Sequence, residues 1–141
     1  NRGFDESNAQ NIIDENIIRS QREQLKIWRI RFAQIGVEVG WRGMDDRNGI
    51  IPLLHRLRRP TFFTRDAGFY DRTLCHAGYC IVHLRVEKDE VADYIRRFLR
   101  NPEFNTYARW LGKVVQVSLV GLRYWQLNIH EEQTADWPVG S

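Results

Sequence analysis

Short apolar runs alternate with longer stretches of helical periodicity along this chain. NIID (11–14) reads as a buried strand. In ENIIRSQREQLKIWRIRF, Ser20 and Glu23 have the spacing of a capping box, which predicts a helix from near Ser20 to about Arg31 with Leu25, Trp28 and Phe32 on one face. FAQIGVEV (32–39) alternates into a second strand, and WRGMDDRNG (41–49) reads as a loop. IIPLLHRLRR (50–59) predicts a helix that tolerates Pro52 in its first turn, where backbone N–H groups have no intrahelical partner. TFFT (61–64) and YCIVHLRV (79–86) predict strands from their aromatic and β-branched content. KDEVADYIRRFLR (88–100) places Val91, Ile95, Phe98 and Leu99 on one stripe of a helix. PEFNTYARWLG (102–112) predicts a shorter helix stopped by Gly112, and KVVQVSLVGLRYWQLNI (113–129) a hairpin or two successive strands around Gly121.

The early alternation of strand and helix implies parallel strands, because a parallel connection needs a long crossover that packs on a sheet face. The expected class is therefore α/β, with a central, mainly parallel sheet and a C-terminal β hairpin or strand pair. The 141 residues, 43% hydrophobic with five Trp, suit one domain with its own core. That domain is expected over 11–130, with a flexible segment at 1–10 and a flexible tail at 131–141.

In an open α/β sheet the functional crevice lies beyond the carboxyl ends of the strands. Asp14 ends the first strand and Asp66 follows the third, so parallel strands would bring both carboxylates to one edge. Asp45 and Asp46, in the loop before the second helix, would be delivered to the same edge; Glu15 and Asp71 stand at the margin of the set. Carboxylates gathered in this way repel one another unless a cation neutralises them, and Mg2+ or Mn2+ does so while orienting water toward a phosphoryl group. Each residue also has a plain structural reading: strand end for Asp14 and Glu15, helix cap for Asp46, turn former for Asp66. Their joint placement is what favours a metal site.

The net charge of +3 hides a bias toward Arg, clustered in HRLRRP (55–60) and YIRRFLR (94–100). Arg pairs with phosphate in a bidentate way, which points to a polyanionic partner, although solvated helix faces are the plainer account of any one cluster. Arg65, Arg56 and Arg59 are the candidate phosphate-binding residues, with Arg58, Arg96, Arg97 and Arg100 as further members of the rim and Phe69 and Tyr70 as candidates to stack a base. No apolar run reaches the roughly 18 residues of a membrane span. The start NRGFDESNAQ lacks the features of a signal peptide, so the expected location is the cytoplasm, with Cys75 and Cys80 reduced. Cys75, His76, Cys80 and His83 crowd together, but their spacing departs from the usual zinc pattern, and Cys80 and His83 fall on opposite faces of one strand. A buried Cys80, with Cys75 or His76 in a loop near the acidic edge, is the expectation.

IIDEN (12–16), DDRNGIIPLL (45–54) and FFTRDAGFYD (62–71) together resemble the three successive motifs of PIN-like domains, in particular a small bacterial group of unknown function related to VapC-type toxins and to carboxyl-terminal Mut7-type domains. The resemblance covers roughly residues 11–86. It implies a PIN-like α/β/α sandwich and an acidic pocket holding Mg2+ or Mn2+ that cuts RNA, with Asp14, Asp46 (or its neighbour Asp45) and Asp66 at the family's acidic positions. Many relatives read T-R-D-x-D-F at the third motif, whereas Gly68 stands here in place of the second aspartate. The expected function is thus a metal-dependent ribonuclease of the toxin–antitoxin type, with RNA as substrate and an antitoxin protein as partner. The alternative is a catalytically degenerate PIN-like module that binds RNA or a protein. A third reading makes the Trp-rich hairpin at 113–129 the surface of a homodimer or an antitoxin complex.

Overall fold

The computed structural model describes residues 10–102, 104 and 106–138, without the side chains of Asp46, Tyr107 and Ala108. Most of the proposed N-terminal flexible segment, residues 1–9, lies outside the described residues. Seven strands form one sheet: β1 (Gln10–Ile13), β2 (Ala33–Gln34), β3 (Pro60–Thr64), β4 (Cys80–Arg85), β5 (Lys113–Ser118), β6 (Gly121–Gln126) and β7 (Gln133–Ala135). Their spatial order is β2-β1-β3-β4-β5-β6-β7. The first five in that order are parallel, and β6 and β7 add antiparallel. The helices are α1 (Arg19–Ile27), α2 (Ile51–Arg56), α3 (Val91–Arg100) and the single turn α4 (Tyr107–Trp110).

Strand alternation divides the core. The register row Ile13, Phe63, Val82 and Val115 faces Leu25 of α1 and Ile95 and Phe98 of α3. The neighbouring row Ile12, Phe62, Ile81 and Val114 faces Leu53 and Leu54 of α2 and Phe69 of the loop beyond β3. Because both faces are covered, the central strands are continuously apolar rather than alternating, which is why TFFT and YCIVHLRV were readable as strands.

The helices expected over 50–59 and 102–112 shrink to Ile51–Arg56 and Tyr107–Trp110, and four further local expectations change. Ser20 and Glu23 form no capping box: α1 begins one residue earlier, after an extended Ile18 with no side-chain cap, and Glu23 instead meets Arg19 at 3.6 Å. The helix ends at Ile27, because Arg29 takes a left-handed backbone with φ of 58°. The predicted strand 32–39 shrinks to Ala33–Gln34, since Gly36, at φ 88°, turns the chain and its N–H donates to the Val39 carbonyl. The tail is held in part: Gln133–Ala135 pairs with β6, and Trp137 donates from Nε1 to the Ser118 carbonyl at 2.7 Å. A short, polar edge strand carries almost no hydrophobic periodicity, so its pattern in the sequence was silent.

Candidate active site

The chain leaves β1 through α1 to reach β2 on one side, then returns through α2 past β1 to β3 on the other. These two crossovers pack on opposite faces, so a crevice opens between the carboxyl ends of β1 and β3. Asp14 is the first residue past β1, pinned by its N–H donating to the Phe63 carbonyl at 3.1 Å. Thr64 closes β3. Its Oγ1 donates to Asp14 Oδ2 at 2.6 Å and accepts from the Asp66 backbone N–H at 3.0 Å, so one hydroxyl ties together two acidic segments fifty residues apart. The other Asp14 oxygen, Oδ1, accepts from the Glu15 N–H at 2.8 Å. Asp66 caps the 3-10 turn Ala67–Phe69 by accepting from the Gly68 N–H at 2.9 Å. A Cβ on residue 68 would stand 3.2 Å from Asp66 Oδ1, so glycine suits the turn that aims this carboxylate.

Asp14, Glu15, Asn16, Met44, Arg65 and Asp66 line a cleft of about 470 Å3. Glu15 accepts from the Gly43 N–H at 2.8 Å, drawing the loop before α2 against the end of β1. Arg65 donates from Nε to the Val86 carbonyl at 2.9 Å, which fixes its guanidinium at the cleft wall. Asp14 is 9% exposed. Burial raises its pKa above the ordinary 3.8, the bonds from Thr64 and the Glu15 N–H pull it back, and the charges of Glu15 and Asp66 push it up again. A desolvated carboxylate that feels the charges of two further carboxylates is what a hard cation relieves. Mg2+ is commonly held by one or two protein carboxylates with water and phosphate completing the shell, so the oxygen-only set of Asp14 and Asp66, with Glu15 beside them, fits such an ion.

The remaining candidates lie as follows. Asp45 is exposed and does not line the cleft; its carbonyl accepts from the Gly49 and Ile50 N–H groups as the π-helical turn Asp46–Ile50 begins. The side chain of Asp46 lies outside the described residues, while its backbone opens that turn at the carboxyl edge. Asp71 is taken up elsewhere. It pairs with Arg47 at 2.7 Å and accepts from the Thr73 N–H and hydroxyl, and these bonds hold its carboxyl down at about 2. Among the described residues no three His, Cys, Asp or Glu side chains form a ready metal cluster.

The arginine rim is mostly dispersed. α2 runs back from the carboxyl edge to start β3, so Arg56 and Arg59 sit at the amino edge, where the Arg59 carbonyl accepts from the Gln10 N–H. Arg96 lies over Trp28, and Arg97 lies over Tyr94 and pairs with Asp93. Arg65 is the candidate that reaches the cleft. Phe69 is buried against Phe62 and is not available to stack a base, and the Tyr70 hydroxyl donates to Glu132 at 2.5 Å. Cys75 and His76 precede β4 and therefore sit at the amino edge, away from the acidic cleft: a loop that starts a parallel strand must first return to that end. His76 stacks on Tyr79 there, and Cys80 is buried.

Sequence reasoning missed Thr64, Asn16 and Met44, and it weighed His83 only as a zinc ligand. The Thr64 signal was present, since a threonine ending an apolar strand on the same face as a neighbouring aspartate is placed to bridge to it. His83 is 3% exposed, its Nδ1 lies 3.2 Å from Gln116 Nε2, and burial lowers its pKa, which favours the neutral imidazole. Comparison of the chain with protein-family models, with curated proteins and with solved structures finds no match.

Proposed function

We propose that this chain is a PIN-like ribonuclease that hydrolyses phosphodiesters with the help of Mg2+ or Mn2+. The observation that carries the reading is the meeting of Asp14 and Asp66 in one cleft, bridged by the Thr64 hydroxyl and flanked by a tethered Arg65. The divalent ion, when bound, supplies neutralisation of the carboxylates and an activated water. Asp14, with its rotamer locked by two hydrogen bonds, would hold the inner side of that ion, and Asp66 the mouth. Arg65 would orient the phosphate by its terminal nitrogens, since its Nε is committed to the Val86 carbonyl. Fixing donors before substrate arrives is how such a site lowers a barrier, because the reorganisation is complete in the folded protein.

A second reading, an RNA-binding module that no longer cuts, draws on Gly68: with glycine there, the turn offers one carboxylate rather than two, and an oxygen of that carboxylate accepts from its own loop. The two readings separate on a single-stranded RNA pool incubated with Mn2+. Cleavage by the wild type, lost in Asp14→Asn and Asp66→Asn with circular dichroism unchanged, supports the ribonuclease. Salt-sensitive binding with no cleavage at any Mn2+ concentration replaces it with the binding module.

A further inference from the structure

A second cavity, of about 710 Å3, opens at the carboxyl ends of β4 and β5, and Arg65 lines it as well as the acidic cleft. His83 and Gln116 are register partners in those strands and form its polar floor, Arg85 stands at the rim, and Glu87 and Glu90 line the side toward α3. Its volume suits one nucleoside. An amide nitrogen can only donate, so Gln116 Nε2, 3.2 Å from His83 Nδ1, gives its N–H to the ring and leaves Oε1 as an acceptor. The cavity thus combines acceptors on its walls, Gln116 Oε1 and the carboxylates of Glu87 and Glu90, one oxygen of Glu90 already accepting from the Glu87 N–H at 3.0 Å, with the Arg65 guanidinium where it meets the cleft and Arg85 at the rim.

We propose that this cavity is a base-reading subsite for the nucleotide adjoining the scissile phosphate, selecting bases that carry an exocyclic amino group over uracil. The inference rests on the ribonucleotide reading of the neighbouring cleft and adds what the chain reads in its substrate. Cytosine and adenine present an amino donor to Gln116 Oε1 or to the Glu87 and Glu90 carboxylates. Uracil offers carbonyl oxygens in that place, which leaves the acceptors of the wall facing acceptors of the base. The border position of Arg65 places a phosphate between the base in the one cavity and the carboxylates in the other.

The test is fluorescence anisotropy of short labelled oligocytidylate and oligouridylate RNA at low salt with EDTA, so that no strand is cut. The wild type should bind the cytidine oligomer about tenfold more tightly, the discrimination expected of a well-placed base contact. Gln116→Leu should bring that ratio below about twofold by removing the acceptor. Leu119→Trp, at a cavity residue 58% exposed and outside the core, should do the same by filling the space, which guards against a folding defect in the first variant. Equal affinity of the wild type for both oligomers, or a preference that survives both substitutions, would overturn the subsite. Failure of the ribonuclease reading shows separately, as absence of Mn2+-dependent cleavage, and leaves this metal-free binding ratio readable.

Discussion

Thr64→Val removes one hydroxyl and little volume, and its effect on stability should depend on the charge of Asp14. In the wild type the hydroxyl donates to Asp14 Oδ2 at 2.6 Å and accepts from the Asp66 N–H at 3.0 Å. A hydrogen bond to an ionised group contributes about 1.5–3 kcal/mol, and stranding the Asp66 N–H adds about 1 kcal/mol more, so the variant should lose roughly 2.5–4 kcal/mol at neutral pH. The sign of the pH dependence follows from the pKa. The Thr64 bond lowers the Asp14 pKa, so its removal leaves the variant's carboxyl higher still than the wild type's already raised value. The differential is complete above both native values and shrinks as pH falls through the variant's and then the wild type's. That window lies above the ordinary 3.8 of an aspartate. Below it, a bond to a neutral carboxyl is worth only about 0.5–1.5 kcal/mol, so the gap between the two unfolding free energies read from urea titration should narrow by about 1 kcal/mol. A loss under about 0.5 kcal/mol at neutral pH, the range of an ordinary surface substitution, would refute the bridge. So would a loss that is the same at every pH.

Two further outcomes check the placement of the remaining groups. Asp71→Ala should cost about 1–2 kcal/mol, from an exposed ion pair and a turn cap, and leave any response to Mn2+ unchanged; because Arg47 and Thr73 hold the native carboxyl at about 2, this contribution is present above 3.8 and lost as pH falls toward 2. Cys80 is fully buried and its thiol is pushed far up by desolvation, while Cys75 is half-buried with a smaller rise from the same cause, so a native thiol titration should register Cys75 slowly and Cys80 only after denaturation.

The parts of this fold that could be read in advance share one cause, which is burial on both faces of the sheet. TFFT is buried throughout and CIVHLR at every position but Arg85, and each ends where the strand reaches the carboxyl edge. Parallel order then does the rest, carrying Asp14 and the Asp66 turn to the same crevice whatever their separation in the chain. Features fixed by direction rather than by pattern were harder to see. Arg56 and Arg59 belong to the right composition but to the wrong end of the sheet, because a crossover helix spends its length returning there. Glu15 looked like a marginal ligand, yet its carboxylate ties the Gly43 loop to β1 while lining the cleft. The Ser20 and Glu23 spacing matched a cap, but Ile18 already leads into the helix in an extended conformation and Glu23 meets Arg19 one turn before it. Pairings such as His83 with Gln116 depend on the register of two strands thirty-three residues apart, which no local spacing encodes.

The most direct measurement is the melting temperature of the wild type and of Asp66→Asn as Mn2+ is raised at constant ionic strength. An ion shared by Asp14 and Asp66 stabilises the native state by an amount that grows with the logarithm of its concentration, about 2.7 kcal/mol at one hundred times the dissociation constant. The wild type should therefore show a steadily rising melting temperature, and Asp66→Asn a flat one. An equal rise in both proteins, or none in the wild type, would contradict the shared site.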